Sequence, residues 1–149
     1  MSENLDNVDL KLLRIVNRNA HTPLREMGRE VGLSISGVKR RLDRLYKRGI
    51  IQKYSALVDP RKYGLDTVAF LRVEVDSRSM REVAQALERK REVCEIHKIA
   101  GDFLMLKVRS KDVDSLNDFI EKNVTSREGV KNVATLISME TYKETLFTP

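Results

Sequence analysis

The sequence predicts an α+β protein in two parts. The first is an N-terminal winged helix-turn-helix, three helices plus a short β hairpin. It is linked to a C-terminal ferredoxin-like β-α-β-β-α-β domain. Three observations predict this. Apolar residues recur at the 3.6-residue helical period in the first third of the chain, then at the alternate-residue period of strands. Gly32 stands between two short helical stretches, at the spacing of a helix-turn-helix. The charge is also divided: residues 1–64 hold 14 Lys and Arg against 7 Asp and Glu, net +7, and residues 65–149 hold 14 against 15, net −1. The chain reads as a helix-turn-helix over 1–51, a linker strand and hinge over 52–64, and the ferredoxin-like domain over 65–149.

Leu5, Val8, Leu12, Ile15 and Val16 form the apolar stripe of a first helix, which Asn4 or Asp6 can cap. Pro23 suits the first turn of a second helix carrying Leu24, Met27 and Val31. Gly32 can adopt the left-handed conformation that ends it. A serine of Ser34-Ile35-Ser36-Gly37 then caps a third helix, whose buried stripe is Val38, Leu42 and Leu45. Ile50 to Val58 alternates and predicts a strand, either a small wing or a linker strand, which Asp59-Pro60 stops.

In the second part Asp66–Val75 predicts a strand with Ala69, Leu71, Val73 and Val75 on one side. Ser77–Arg91 predicts a helix capped by Ser77 or Ser79, and Val93–Ala100 a second strand. Gly101-Asp102 reads as a tight two-residue hairpin. Phe103–Arg109 is a third strand. Ser110–Asn123 is a helix with Val113, Leu116, Phe119, Ile120 and Val124 inward, and Val130–Lys143 a long last strand. Both helices cover one sheet face. The other face carries Val68, Phe70, Ile96 or Ile99, Phe103, Met105 and Ile137, an apolar surface that predicts a homodimer packed sheet to sheet.

Charge carries the chemistry. Between Ser34 and Arg48 stand Lys39, Arg40, Arg41, Arg44, Lys47 and Arg48, with Asp43 the one acid. A solvated face usually mixes charge signs, and this one barely does. Small residues at the start of the third helix (Ser34, Ser36, Gly37) allow close approach to base edges. Lys39, Arg40, Arg41, Arg44 and Lys47 can reach phosphates or guanine edges. The partner implied is double-stranded DNA, with two such helices in successive major grooves.

Other classes lack support. The chain has 149 residues, net charge +6, 41% hydrophobic and 34% charged residues. No stretch approaches the ~18 apolar residues of a membrane span, and the polar N-terminus does not resemble a signal peptide, so a cytoplasmic protein is expected. The lone Cys94 excludes an internal disulfide and cysteine-pair zinc ligation, and reads as a small core or interface residue. His21 and His97 have no metal-ligand spacing, no nucleotide-binding loop occurs, and Asp112 and Asp114 suit a helix start, so neither metal, cofactor nor catalysis is expected.

The order and spacing of several motifs resemble the Lrp/AsnC family of leucine-responsive or feast–famine regulators over essentially the whole chain. They are Leu5-Asp6-x-x-Asp9-x-x-Leu12-Leu13, Val31-Gly32-Leu33-Ser34, and Val38-x-x-Arg41-Leu42-x-x-Leu45-x-x-x-Gly49-Ile50-Ile51. Ala56-x-Val58-Asp59-Pro60, Tyr63-Gly64, Gly101-Asp102-Phe103 and Gly129-Val130 complete the set. The resemblance implies a sequence-specific, DNA-binding transcriptional regulator. It implies dimers that assemble to tetramers or octamers, and a small-molecule effector, commonly an amino acid, bound between dimers. The effector positions it implies are Ala100, Gly101 and Asp102, with Thr135 and Ile137 opposite. Ala100 and Leu104 stand where many members carry Thr and Asp, which removes two side-chain contacts to an effector. An architectural DNA-packing protein of the same fold without an effector is therefore the alternative. A metabolite-binding enzyme on a related scaffold would have no need of six cations on one helix.

Overall fold

A computed structural model of the chain describes residues 5–144. Asn4, one of the two expected caps, lies outside them. The chain divides into two compact units. One runs to Leu57 and also takes in Lys143 and Glu144; the other is Val58–Tyr142. The division falls within the expected linker of 52–64.

The first unit is three helices, α1 (Asn7–Arg18), α2 (Leu24–Val31) and α3 (Ile35–Lys47). Asp6 caps α1 in a capping box: its side chain accepts the Asp9 N–H at 2.8 Å, and the Asp9 carboxylate faces the Asp6 N–H. Gly32 ends α2 at φ 71°, and Ser34 caps α3 by accepting the Gly37 N–H at 3.2 Å. Leu12, Leu13, Ile15, Met27, Val38, Leu42, Leu45 and Ile51 form the core. The strand expected over Ile50–Val58, and the wing it would build, are not formed. Ile50 and Ile51 return their N–H groups to the Leu45 carbonyl, and the exposed residues that follow have no partner strand among the described residues. A single extended segment gains nothing without a ladder.

The second unit is a four-stranded antiparallel sheet of β1 (Thr67–Val75), β2 (Val93–Ile99), β3 (Phe103–Ser110) and β4 (Val130–Ile137), in the order β2-β3-β1-β4. Helix α4 (Met80–Glu88) crosses between β1 and β2. Helix α5 (Val113–Ile120) crosses between β3 and β4, continued by a wider π-type turn over Glu121–Thr125. This is the expected β-α-β-β-α-β arrangement. Alternation puts Ala69, Leu71, Val73, Val75, Leu104, Leu106 and Val108 under the helices, against Val83, Leu87, Leu116, Phe119 and Val124.

Several expectations are corrected. Val113, expected inward, lies outward at 46% exposed, because α5 begins at Val113 itself after the Asp112 cap instead of at Ser110. β4 ends at Ile137 instead of Lys143. Its only neighbour, β1, begins at Thr67, and the Ser138 N–H to Val68 carbonyl bond at 2.8 Å is the last rung. The β2–β3 hairpin has three loop residues, not two: Ile99 pairs with Phe103 across Ala100, Gly101 and Asp102, with Gly101 at φ 78°. Cys94 is exposed on β2, at a register shift.

Candidate nucleic-acid interface

Gly28 and Gly32 set the α2–α3 corner. Gly32 supplies the left-handed backbone at the turn. Gly28 lies inside α2, where a glycine is otherwise a cost of about 1 kcal/mol. Its reason is close approach: a Cβ there would fall inside 3.0 Å of the Leu33 carbonyl oxygen. The Leu33 N–H also donates to the Gly28 carbonyl at 2.9 Å. The turn therefore folds directly onto the α2 backbone, and Met27 can pack with Val38 in one core. Sequence reasoning missed Gly28, although a helix-interior glycine signals such a contact.

The basic helix presents its cations in two ways. Lys39, Arg40 and Lys47 are exposed and have no ionic partner among the described residues. Together with Ser36, Asp43, Arg44 and Arg48 they line a broad, open dish on the outer side of α3. Ser36 and Gly37 sit at its N-terminal end, where Ser34 Oγ is 3.1 Å from Ser36 Oγ and is spent on the cap. The free N–H groups and positive dipole of the first helical turn face the same end, which suits a phosphate.

Arg41 and Arg44 behave differently. Arg41 Nη1 donates to Asp6 Oδ2 at 2.6 Å and to Asp9 Oδ1 at 2.8 Å. Arg44 Nη2 donates to Asp9 Oδ1 and Oδ2 at 3.0 and 2.9 Å. Asp9 is 1% exposed, and these two arginines and the Asp6 N–H meet its charge among the described residues. The hydrogen bond from Arg41 holds the Asp6 carboxyl below its usual range, and the Asp6 and Asp9 carboxylates hold the Arg41 guanidinium above its own. The expectation that all six cations stand on exposed faces of the helix is thus corrected: Arg41 is bound inward to α1, and Arg44 is shared between Asp9 and the outer dish. The overlooked signal was Asp9 itself. An acid three residues before Leu12, on the buried stripe of α1, needs a buried cationic partner.

The positions implied for an effector are not gathered within one chain. Ala100, Gly101 and Asp102 are exposed at one end of the sheet, where the Asp102 carbonyl accepts the Val75 N–H at 2.9 Å. Thr135 and Ile137 pair with Leu71 and Ala69, farther along β1 and on the opposite edge strand. The four steps along the strand from Leu71 to Val75 alone span about 13 Å. Leu104 is buried among the helix-side residues. Ile137 is also reassigned: it shares the helix side with Ala69, and Leu136 and Ala134 take the open side opposite Phe70 and Arg72. By the same register Ile99, and not Ile96, faces open, beside Phe103 and Met105. That face is not purely apolar. The Arg72 guanidinium lies 5.2 Å from the Phe103 ring centre, and Glu95 bonds Lys107 at 3.4 Å.

Among the described residues no group of three or more His, Cys, Asp or Glu could hold a metal ion, and no helix is long and apolar enough to cross a membrane.

Residues 5–46 match the AsnC-type helix-turn-helix domain, and residues 68–146 match the Lrp/AsnC ligand binding domain. The HTH-type transcriptional regulator FL11 of Pyrococcus furiosus is 34% identical over 146 residues, which cover 97% of this chain and 96% of that protein. Among solved structures, that of the regulator NMB0573 of Neisseria meningitidis, described as an L-Met complex, has a TM-score of 0.91 at 29% identity and covers 98% of this chain and 97% of that one. Escherichia coli AsnC shares the fold at a TM-score of 0.91 and 23% identity, covering 99% and 100% of the two chains.

Proposed function

From the premise that the chain belongs to the Lrp/AsnC family and is a helix-turn-helix DNA-binding transcriptional regulator rather than an enzyme, we propose that the outer side of α3 reads duplex DNA. Lys39, Arg40 and Lys47 take phosphates or base edges, and Ser36 and Gly37 allow the helix start to approach the backbone. One observation carries this reading: these three cations have no ionic partner among the described residues, although acids close by neutralise Arg41 and bind Arg44.

The protein works in the cytoplasm as a homodimer built on the open sheet face, which assembles further to a tetramer or octamer. Phe70 and Leu136, 38% and 59% exposed, lie opposite each other on that face and support the reading. A small-molecule effector, an amino acid, binds between copies. Ala100, Gly101 and Asp102 of one copy meet Thr135 and Ile137 of another, since a single chain keeps the two groups apart. A hairpin backbone offers N–H and C=O groups to the effector's charged ends, and the L-Met complex of NMB0573 supports the ligand class. Effector binding shifts the protein between assemblies only by as much as it prefers one of them.

A footprint on the gene's own upstream region tests this, with and without the pooled twenty amino acids. The expected result is a bounded, helically phased footprint that shifts with the pool. Arg40→Ala is expected to weaken it and to reduce the salt slope by about 0.9. A footprint that spreads without boundary and ignores the pool supports the packing protein instead, a reading favoured by Ala100 and by the core position of Leu104. An Arg40→Ala protein that binds like the wild type refutes the α3 assignment.

A further inference from the structure

We propose that Asp9 is a positioning residue for DNA recognition, assisted by Asp6: it aims the Arg44 guanidinium at the duplex and keeps Arg41 off it. The inference rests on the α3 reading above and deepens it.

The geometry of Arg44 carries it. Only Nη2 is engaged, on both oxygens of a carboxylate that is itself 1% exposed. Nη1 and Nε have no partner among the described residues, and the side chain, 49% exposed, lines the dish beside Ser36, Arg40 and Lys47. A guanidinium is a rigid planar fork, so holding one terminal nitrogen narrows the directions its other donors can take. Such a preset fork gives up less rotamer freedom on binding and discriminates between base edges or phosphate positions better than a free arginine. Arg41 is the counterpart. It is 25% exposed with both carboxylates on Nη1, so its charge is neutralised before DNA arrives.

The acids therefore subtract from sequence-independent attraction while sharpening one contact. An arginine left loose on this helix would add a counterion-releasing phosphate contact to every duplex alike. Tied to α1, Arg41 adds nothing to non-specific binding, and Arg44 contributes in one orientation. Asp6 is the accessible half of the pair. Its side chain is 51% exposed, and asparagine caps a helix as well as aspartate, so its charge can be removed with the cap kept.

The experiment compares two duplexes across a salt series: one selected by the wild-type protein from a randomised pool, and one of unrelated sequence. Arg44→Lys keeps the charge and loses the fork. It is expected to retain the salt slope on both duplexes but to lose about tenfold or more in preference for the selected one. Asp6→Asn is expected to bind the unrelated duplex more tightly, with a salt slope steeper by up to about 0.9, as Arg41 gains freedom to meet a phosphate. Asp9→Asn should combine both effects, but it removes a buried charge and can unfold the unit, so Arg44→Lys and Asp6→Asn decide. Unchanged preference in Arg44→Lys overturns the aiming role. An unchanged slope in Asp6→Asn overturns the part given to Asp6 in restraining Arg41, which then rests on Asp9 alone. A pool that yields no preferred sequence, or an Arg40→Ala protein that binds both duplexes like the wild type, refutes the underlying α3 reading instead.

Discussion

Replacing Gly28 with alanine sets two effects of opposite sign against each other. Alanine in a helix interior is favoured over glycine by about 1 kcal/mol, so propensity alone predicts a more stable protein. The added methyl would meet the Leu33 carbonyl oxygen inside 3.0 Å, with the carbonyl carbon at 3.5 Å and Val38 Cγ2 at 3.7 Å. The nearest of these belongs to backbone, so no rotamer change relieves the contact. The turn must move, which costs about 1–3 kcal/mol as overpacking. It also strains the bond from Leu33 N–H to the Gly28 carbonyl, worth about 1 kcal/mol. The net expectation is a loss of about 1–3 kcal/mol, or roughly 5–20 °C in the melting temperature of a unit this small. Thermal unfolding followed by far-ultraviolet circular dichroism reads it. Gly32→Ala is the control, since open space surrounds that position and only the φ of 71° resists a side chain. It should cost about 1–2 kcal/mol. A Gly28→Ala protein that melts at or above the wild-type temperature would refute the close-approach account of the corner.

Two further outcomes follow from the charges and the open face. The hydrogen bond from Arg41 lowers the Asp6 carboxyl in the folded protein, so the unfolded chain takes up its proton first as the pH falls. The resulting stabilisation is fully present above the ordinary carboxylate value of about 4 and is lost as the pH falls through the lower folded value. Denaturant midpoints across that range should fall in acid for the wild type and less steeply for Asp6→Asn; parallel curves would count against the pairing. On the sheet, Phe70→Asp with Leu136→Asp places two charges where a dimer would exclude water. Sedimentation should then report a smaller species than the wild type. An unaltered distribution would put the dimer contact elsewhere.

The helices and strands were legible because each carries its own period and its own stop. Val38, Leu42 and Leu45 form a stripe with Ser34 before it and Gly49 after it, and all three are buried. The strand errors have one physical origin: strand ends, unlike helix ends, are set by the neighbour and not by the strand's own residues. Ile50–Val58 alternates as well as β1 does but has no strand beside it among the described residues, and β4 stops where β1 begins although its alternation continues. The face of Ile137 is hidden in the sequence for a similar reason, since facing follows from its pairing with Ala69.

The basic helix shows what composition hides. A count of charges gives α3 an almost unbroken positive surface, whereas the fold brings Asp6 and Asp9, 32 to 35 residues away in sequence, against two of its six cations. Long-range attraction to DNA follows the net charge, which the acids lower. Selectivity follows the number of donors held in fixed directions, which the same acids raise. Adding positive charge to α3 would strengthen binding to all DNA, while the carboxylates of α1 give up part of that attraction for orientation. If α3 reads DNA as proposed, the acidic opening of the first helix acts on that surface through Arg41 and Arg44.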